Sequence, residues 1–484
     1  MNTNPAASAP PHHTHMRKGL STTTLAAAAA VIMMAAVAAC GNGGRQAKPE
    51  QVHKLPDTLV VGTLYSPTGF FILRGDTLGY DFDRAKDFAA AKGVGIKFKV
   101  AKNLQSLVEM LRGRQIDMIA CEVPETAEFK SQVLNCGAAD TTYQVLVQPK
   151  SQHPIANVTQ LVGRDVYVIA NSRYEARLKN LDNEVGGGIR IRTVANDTLI
   201  AEDLIAMVAA GKLPLTIVDS DIARFDKTYY DNIDVSLNVS FPQRSSWAVN
   251  KADKWLADSI DGWSNSAKGK TASKELKRRY FELSKSKPAA SAADSSATHA
   301  TMASRGGISP YDHLFKAHAR HTAWDWQLLA AIGKTESGFN PNAASWAGAI
   351  GLMQVMPGVG RSYGASRSQL AEPDKSVEVA VKILNGIDAY LKPRVHNREE
   401  RLKFVLAAYN AGIGHVADAM ALAKKYGKDP QVWYDNVEEA ISWKSNPDFY
   451  NDPVCRYGYF RGRQTIAYVK EVERHYHHYK NRHK

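Results

Sequence analysis

The sequence predicts a multidomain protein, an α/β region followed by a mainly α-helical one, and three observations carry this. Short apolar strands alternate with helical stretches from Leu55 to Leu283, the order expected of an α/β domain. Residues 284–308 are rich in Ser, Ala, Lys and Thr and contain Gly306-Gly307, the composition of a linker. Beyond it, in residues 309–484, the informative apolar rows recur at three- and four-residue spacing, which is helical. A chain of 484 residues with 44% hydrophobic and 23% charged residues has the composition of ordinary globular domains and can bury a core in each.

Ahead of these domains, residues 1–40 read as an export signal. Arg17 and Lys18 precede an apolar run from Leu25 to Ala39, too short for a comfortable membrane span. The run ends in Val37-Ala38-Ala39-Cys40, which resembles the lipobox of bacterial lipoproteins and implies a lipid on Cys40 as the mature N-terminus. Gly41 follows rather than Asp, so the resemblance implies a cell-envelope location, anchored by lipid in the outer membrane and facing the periplasm. Residues 41–54 read as a polar tether. Export permits disulfides. Cys121 and Cys136 are open to pairing or to life as buried free thiols, with Cys455 left over. No Cys or His spacing suggests zinc, and nothing calls for a cofactor. His475, His477, His478 and His483 read as solvated residues of a basic tail. The net charge of +13 suits an anionic partner and does not choose among nucleic acid, a membrane surface and an acidic polymer.

Within residues 55–283, Leu59 to Leu64 opens as a buried strand, and Gly79-Tyr80-Asp81-Phe82-Asp83 leads into a helix through Phe88. Ile96 to Val100 alternates, Leu107 to Arg112 is helical, and Ile116 to Ala120 is a strand. A second run follows with Val166–Ala170, a helix over Ala201–Ala210 and a strand over Leu215–Asp219. This order resembles the family-3 extracellular solute-binding domain, a two-lobed periplasmic-binding-protein-like clamshell that holds small solutes in its cleft. The resemblance implies that Tyr65, Asp81 and Asp219 line the cleft. One departure matters: Thr126 aligns with the family's threonine, but Phe129 stands where its carboxylate-gripping arginine belongs. A phenyl ring cannot replace a bidentate guanidinium, and Lys130 offers only a point charge. A peptide or muropeptide is therefore expected in the cleft rather than one free amino acid.

In residues 309–484, Asp325 can cap a helix whose inward row Leu328, Leu329 and Ile332 continues to Glu336, and Gly338 and Pro341 stop it. Glu336 then stands on an apolar face, where desolvation raises its pKa and suits it to general-acid work. A second helical row, Leu402, Val405, Leu406 and Tyr409, runs into Asn410 and stops at Gly412. The three blocks Thr335–Pro341, Gly348–Pro357 and Ala408–Gly412 resemble, in this order and spacing, the lytic transglycosylase catalytic domain of the soluble-lytic-transglycosylase type, which has a lysozyme-like fold. With the lipobox and the clamshell, the whole resembles the membrane-bound lytic transglycosylase F family.

That resemblance implies a peptidoglycan lyase without metal or organic cofactor, with glycan strands and not nucleic acid as its partner. Glu336 would protonate the bond between N-acetylmuramic acid and N-acetylglucosamine and then deprotonate the muramyl 6-hydroxyl to give a 1,6-anhydro ring. Ser337 would orient Glu336 or the sugar, Gln354 would line the groove, and Tyr409 with Asn410 would steady the acid and the acetamido groups. Two rival readings stay open: a lysozyme-type hydrolase of the same bond, and a solute-binding receptor with an inactive lyase appendage.

Overall fold

The apolar run Leu59-Val60-Val61 becomes the strand Thr58–Leu64, with Leu59 and Val61 fully buried. It lies in a five-stranded sheet ordered Gly95–Ala101, Thr58–Leu64, Met118–Pro124, Gln243–Val249, Leu134–Thr142. The first three strands run parallel and Gln243–Val249 runs antiparallel to both its neighbours. A second five-stranded sheet takes the order Ile233–Asp234, Gln144–Pro149, Thr216–Asp219, Asp165–Ile169, Arg190–Val194. Buried parallel strands need apolar residues on both faces, which is why these runs are continuous rather than alternating. Each sheet has its own core, so the region forms two lobes. The computed structural model describes residues 54–195, 199–285 and 307–482. The expected export signal with Cys40, nearly all of the tether and most of the linker lie outside the described residues.

The helical region follows its caps. The Asp325 side chain accepts from the Leu328 N–H at 3.2 Å and opens the helix Trp326–Ser337, which ends at Gly338 with φ of 61°. An L side chain resists that left-handed conformation, so glycine marks the end. Leu328, Leu329 and Ile332 are fully buried in one core with Phe404, Val405 and Leu406 of the helix Arg398–Ala411 and Val469 and Val472 of the helix Gly462–Arg482. Each such side chain contributes about 1.5–3 kcal/mol by leaving water. Among the described residues no helix is long and apolar enough to cross a membrane.

Cys121 and Cys136 are both buried and free. They sit on strands flanking Gln243–Val249 on opposite sides, so two strand spacings, about 9–10 Å, separate them. A disulfide spans at most about 7 Å between Cα atoms. Phe129 packs on the apolar core of the first lobe, and Lys130 is drawn to Glu125 at 3.5 Å.

The first lobe sends out a hairpin whose strands Phe71–Leu73 and Asp76–Leu78 pair around the two-residue turn Arg74-Gly75. Both turn residues have positive φ, 52° and 86°, as tight hairpins with the strands' natural twist require. Leu73 packs on the helical core, the Arg74 N–H donates to Ala411 O at 3.0 Å, and His415 Nε2 meets Ile72 O at 2.9 Å. The second lobe has separate attachments. Arg461 pairs with Asp226 and lies 3.7 Å from Glu202, Arg463 reaches Asp203 at 2.8 Å, and the Tyr459 hydroxyl donates to Glu202 at 2.7 Å. Trp346, on the loop after the Glu336 helix, meets Phe71, Phe225, Tyr280 and the Lys285 ammonium.

Candidate active site

Glu336 ends the apolar row of its helix, and its side chain is only 5% exposed. Burial pushes its pKa above the ordinary carboxylic-acid value, against the opposing pull of Arg74. Removing water penalises the charged form, so the proton is retained to higher pH. Arg74 Nη2 donates to both carboxylate oxygens at 3.0 Å, Nη1 donates to Gln354 O at 2.9 Å, and Nε donates to Asn410 O at 3.1 Å. A residue from the first lobe therefore occupies the space directly in front of the acid.

The other candidate residues fall around this pair in distinct roles. Tyr409 is buried, and its hydroxyl donates to Met353 O at 2.8 Å, bracing the turn that carries Gln354. Gln354 holds a left-handed φ of 48°, and its amide nitrogen donates to Ala343 O and Gly351 O, both at 2.9 Å. Ser337 is 1% exposed and donates to Leu352 O at 2.8 Å and Gly333 O at 3.2 Å. It pins the Glu336 helix to the same turn and faces away from the groove. Asn410 is half-buried at the end of its helix and accepts from Thr465 Oγ1 at 2.7 Å.

A groove of about 560 Å³ runs from this cluster along Met356, Val359, Tyr363, Ile387, Tyr390 and Tyr457, with Ile72, Arg74 and Gly75 of the hairpin forming part of its wall. None of the residues lining it is an acid. The hairpin fits closely: a methyl group added at Gly358 would fall 2.2 Å from Asp76 Oδ1, so a side chain there would push the aspartate aside.

The three cleft candidates do not form one cluster. The Tyr65 ring lies against Gly458 and stacks edge-on with Tyr450, both in the helical domain. Asp81 is buried under Trp247, whose Nε1 donates to it at 2.8 Å, and Asp219 accepts from Tyr174 at 2.8 Å and pairs with Arg173. Burial raises the Asp81 pKa despite Arg84 and the Trp247 bond, and Asp140 and Asp221, the latter from the other lobe, add to the rise. The lobes thus face each other with acidic groups.

Three further residues belong to the site: Arg74, Thr465 and Tyr468. The Tyr468 hydroxyl is buried beside the Glu336 carboxyl, and the charge of that carboxyl raises the tyrosine's pKa further above what burial alone would do. Arg74-Gly75 between two apolar triplets is a legible hairpin turn, but nothing local announces where the hairpin goes. Tyr468 and Thr465 sit on a basic helix whose inward row was there to be read.

Comparison with known proteins places two families on the chain. Residues 59–283 match the bacterial extracellular solute-binding proteins, family 3, and residues 313–432 match the transglycosylase SLT domain. Proteins named membrane-bound lytic murein transglycosylase F are similar over most of the length. The one from Desulfosudis oleivorans is 29% identical over 426 residues, 86% of this chain and 89% of its own. That from a Pseudomonas fluorescens strain is 28% identical over 437 residues, 89% and 86% of the two chains. Among solved structures, an ancestral cationic amino acid solute-binding protein is 20% identical, covering 47% of this chain and 96% of its own with a TM-score of 0.41.

Replacing Glu336 with Gln keeps the shape and removes the proton. The Glu336→Gln variant is expected to fold and to lose at least about 100-fold in turnover, the scale of general-acid catalysis. The variant leaves the largely buried Arg74 guanidinium without its counter-charge, so its thermal midpoint should fall below the parent's at neutral pH. Residual turnover above about a hundredth of the parental rate would remove Glu336 from the role.

Proposed function

We propose that this chain, which carries a family-3 solute-binding domain and a transglycosylase SLT domain, is a peptidoglycan lytic transglycosylase. It cleaves the β-1,4 bond between N-acetylmuramic acid and N-acetylglucosamine without water, and its first domain regulates it. The observation that carries this reading is one buried carboxyl, its pKa raised by burial, beside a groove none of whose lining residues is an acid. A hydrolytic glycosidase needs a pair of carboxylates, one acting on water or on the sugar. With Glu336 alone, the muramyl 6-hydroxyl is the nucleophile. Glu336 gives its proton to the glycosidic oxygen, takes the proton of the 6-hydroxyl, and the new C1–O6 bond closes a 1,6-anhydro ring as the C1–O4 bond breaks. An internal nucleophile already held near C1 can be worth about 7–11 kcal/mol of barrier.

Regulation is supported by the Arg74 plug. A guanidinium that donates to both oxygens of Glu336 opposes its protonation and takes up the positions a glycosidic oxygen would need, so the docked hairpin would block catalysis. The ligand that releases it is a peptide or muropeptide in the cleft. Acidic groups from both lobes suit the ammonium groups of such a ligand better than a carboxylate, in keeping with Phe129 where an arginine would clamp one. A lipid on Cys40 would hold the enzyme at the outer membrane, within reach of the wall.

Mass spectrometry of digested peptidoglycan tests the chemistry. Products should lack one water relative to lysozyme products. Hydrolytic masses would favour the lysozyme reading, and no products would favour a receptor with an inactive appendage. In the same assay Arg74→Ala should raise the basal rate of the full chain roughly 5- to 150-fold, the range of a 1–3 kcal/mol coupling, with unchanged products. A parental rate would sink the plug. For the anchor, Cys40→Ala should incorporate no labelled palmitate, and labelling that persists would rule out lipidation at Cys40.

A further inference from the structure

We propose that Thr465 is a positioning residue for Asn410, fixing its side-chain amide so that the nitrogen rather than the oxygen meets the substrate. The proposal rests on the reading of Asn410 as a substrate-binding residue. Asparagine carries an acceptor and a two-proton donor that exchange places when the amide turns by half. At the end of a helix, with nothing to hold it, the amide could offer either face. Thr465 Oγ1 lies 2.7 Å from Asn410 Oδ1 and Thr465 is fully buried.

The direction of that bond follows from the threonine. Its hydroxyl has one proton and makes no other hydrogen bond among the described residues. If the hydroxyl accepted from the Asn410 nitrogen, its own proton would be left in a dry interior without an acceptor, and buried donors are seldom left unpaired. Donating to Oδ1 leaves only lone pairs unfilled, which costs less. Asn410 Nδ2 then has no partner among the described residues, while the carbonyl of the same residue accepts from Arg74 Nε at 3.1 Å. The free donor therefore belongs to a residue that the plug covers. A fixed donor selects a carbonyl oxygen, so the group read by Asn410 is the C=O of an acetamido or lactyl substituent, not an N–H. Discrimination of this kind is strong, because the wrong group leaves a polar atom unpaired.

The placement is not isolated. Thr465 and Tyr468 stand three residues apart on the helix Gly462–Arg482, hence on one face. The first meets Asn410, and the second lies beside Glu336. One helix face thus carries both the threonine that meets the binding amide and the tyrosine beside the acid.

The test uses the full mature chain and a soluble oligomer of alternating N-acetylglucosamine and N-acetylmuramic acid. Thr465→Val keeps the shape and loses the hydroxyl. KM should rise about 10- to 100-fold, the effect of one misoriented hydrogen bond, with a smaller change in kcat and little change in thermal midpoint. Thr465→Ser restores the hydroxyl and should restore the parental KM. In an Asn410→Ala background, Thr465→Val should add nothing, because the group it positions is gone. A parental KM for Thr465→Val, a Ser variant as impaired as Val, or additive losses in the double variant would each overturn the proposal. If the Val variant does not fold, the Ser and Ala variants decide. Ser parental with Ala impaired supports it, and equal behaviour of the two overturns it. A parental KM for Asn410→Ala alone would reject the role of Asn410 itself, a result distinct from an impaired Asn410→Ala beside an unaffected Thr465→Val.

Discussion

The buried carboxyl of Glu336 facing the guanidinium of Arg74 is the interaction on which the arrangement of the domains depends. A general acid must be dry to keep its proton, yet a dry carboxylate without a counter-charge is costly. The proposed regulation would resolve this conflict in two ways that exclude each other. In the docked structure Arg74 meets both carboxyl oxygens and pulls the pKa down, while burial keeps it above the ordinary value. In the proposed working state the arginine is gone, and burial alone favours the neutral, protonated acid. Deleting one side of a buried pair usually costs about 3–5 kcal/mol because the other charge stays behind. A carboxyl can escape that cost by taking a proton, so release of the plug and readiness for catalysis become one event.

Holding the plug takes more than the ion pair. Arg74 occupies a left-handed conformation that costs an ordinary side chain about 1–2 kcal/mol. Its hydrogen bonds to Glu336, Gln354, Asn410 and Ala411 offset this only while the hairpin is seated. The second lobe grips the catalytic domain elsewhere, through Arg461, Arg463 and Tyr459 against Glu202, Asp203 and Asp226. Burial pushes Glu202 up to about 7 in spite of Arg461, so that contact is dry as well. Because each lobe has its own attachment, a change in the angle between lobes cannot leave both undisturbed. The grip of the second lobe also falls at the start of the helix whose next turns carry Thr465 and Tyr468.

Much of this was legible in the sequence where the cause is local. The Asp325 cap, the apolar row to Glu336 and the stop at Gly338 are properties of one helix, and they appear as the pattern implies. The alternating strands from Leu59 to Asp219 are likewise local, and so is the loss of the arginine at Phe129. Ser337 shows the limit of a motif. Its neighbour in sequence is the acid, but helical geometry turns its hydroxyl inward to Leu352 O. Tyr65, next to a strand end, was expected at a solute cleft, and it packs instead on Gly458 of the other domain. Arg74 lies 262 residues from Glu336. Nothing in a two-residue turn encodes the surface into which it fits, and the glycine that admits its neighbour, Gly358, is equally silent alone. Thr465 and Tyr468 were hidden by the basic character of the residues around them, which drew attention to the exposed face of the helix.

The seated hairpin can be trapped chemically. A Cβ at Gly358 would lie 3.0 Å from the Asp76 Cγ, so cysteines at 76 and 358 fall within disulfide reach. The most direct measurement is the rate of peptidoglycan solubilisation by the full chain carrying Asp76→Cys and Gly358→Cys, with the native cysteines at 121, 136 and 455 replaced, before and after reduction. The expected result is that the oxidised protein, fully cross-linked by mass, releases almost nothing and that a reductant restores turnover. A cross-linked protein that digests peptidoglycan as fast as its reduced form would show that the hairpin does not block Glu336.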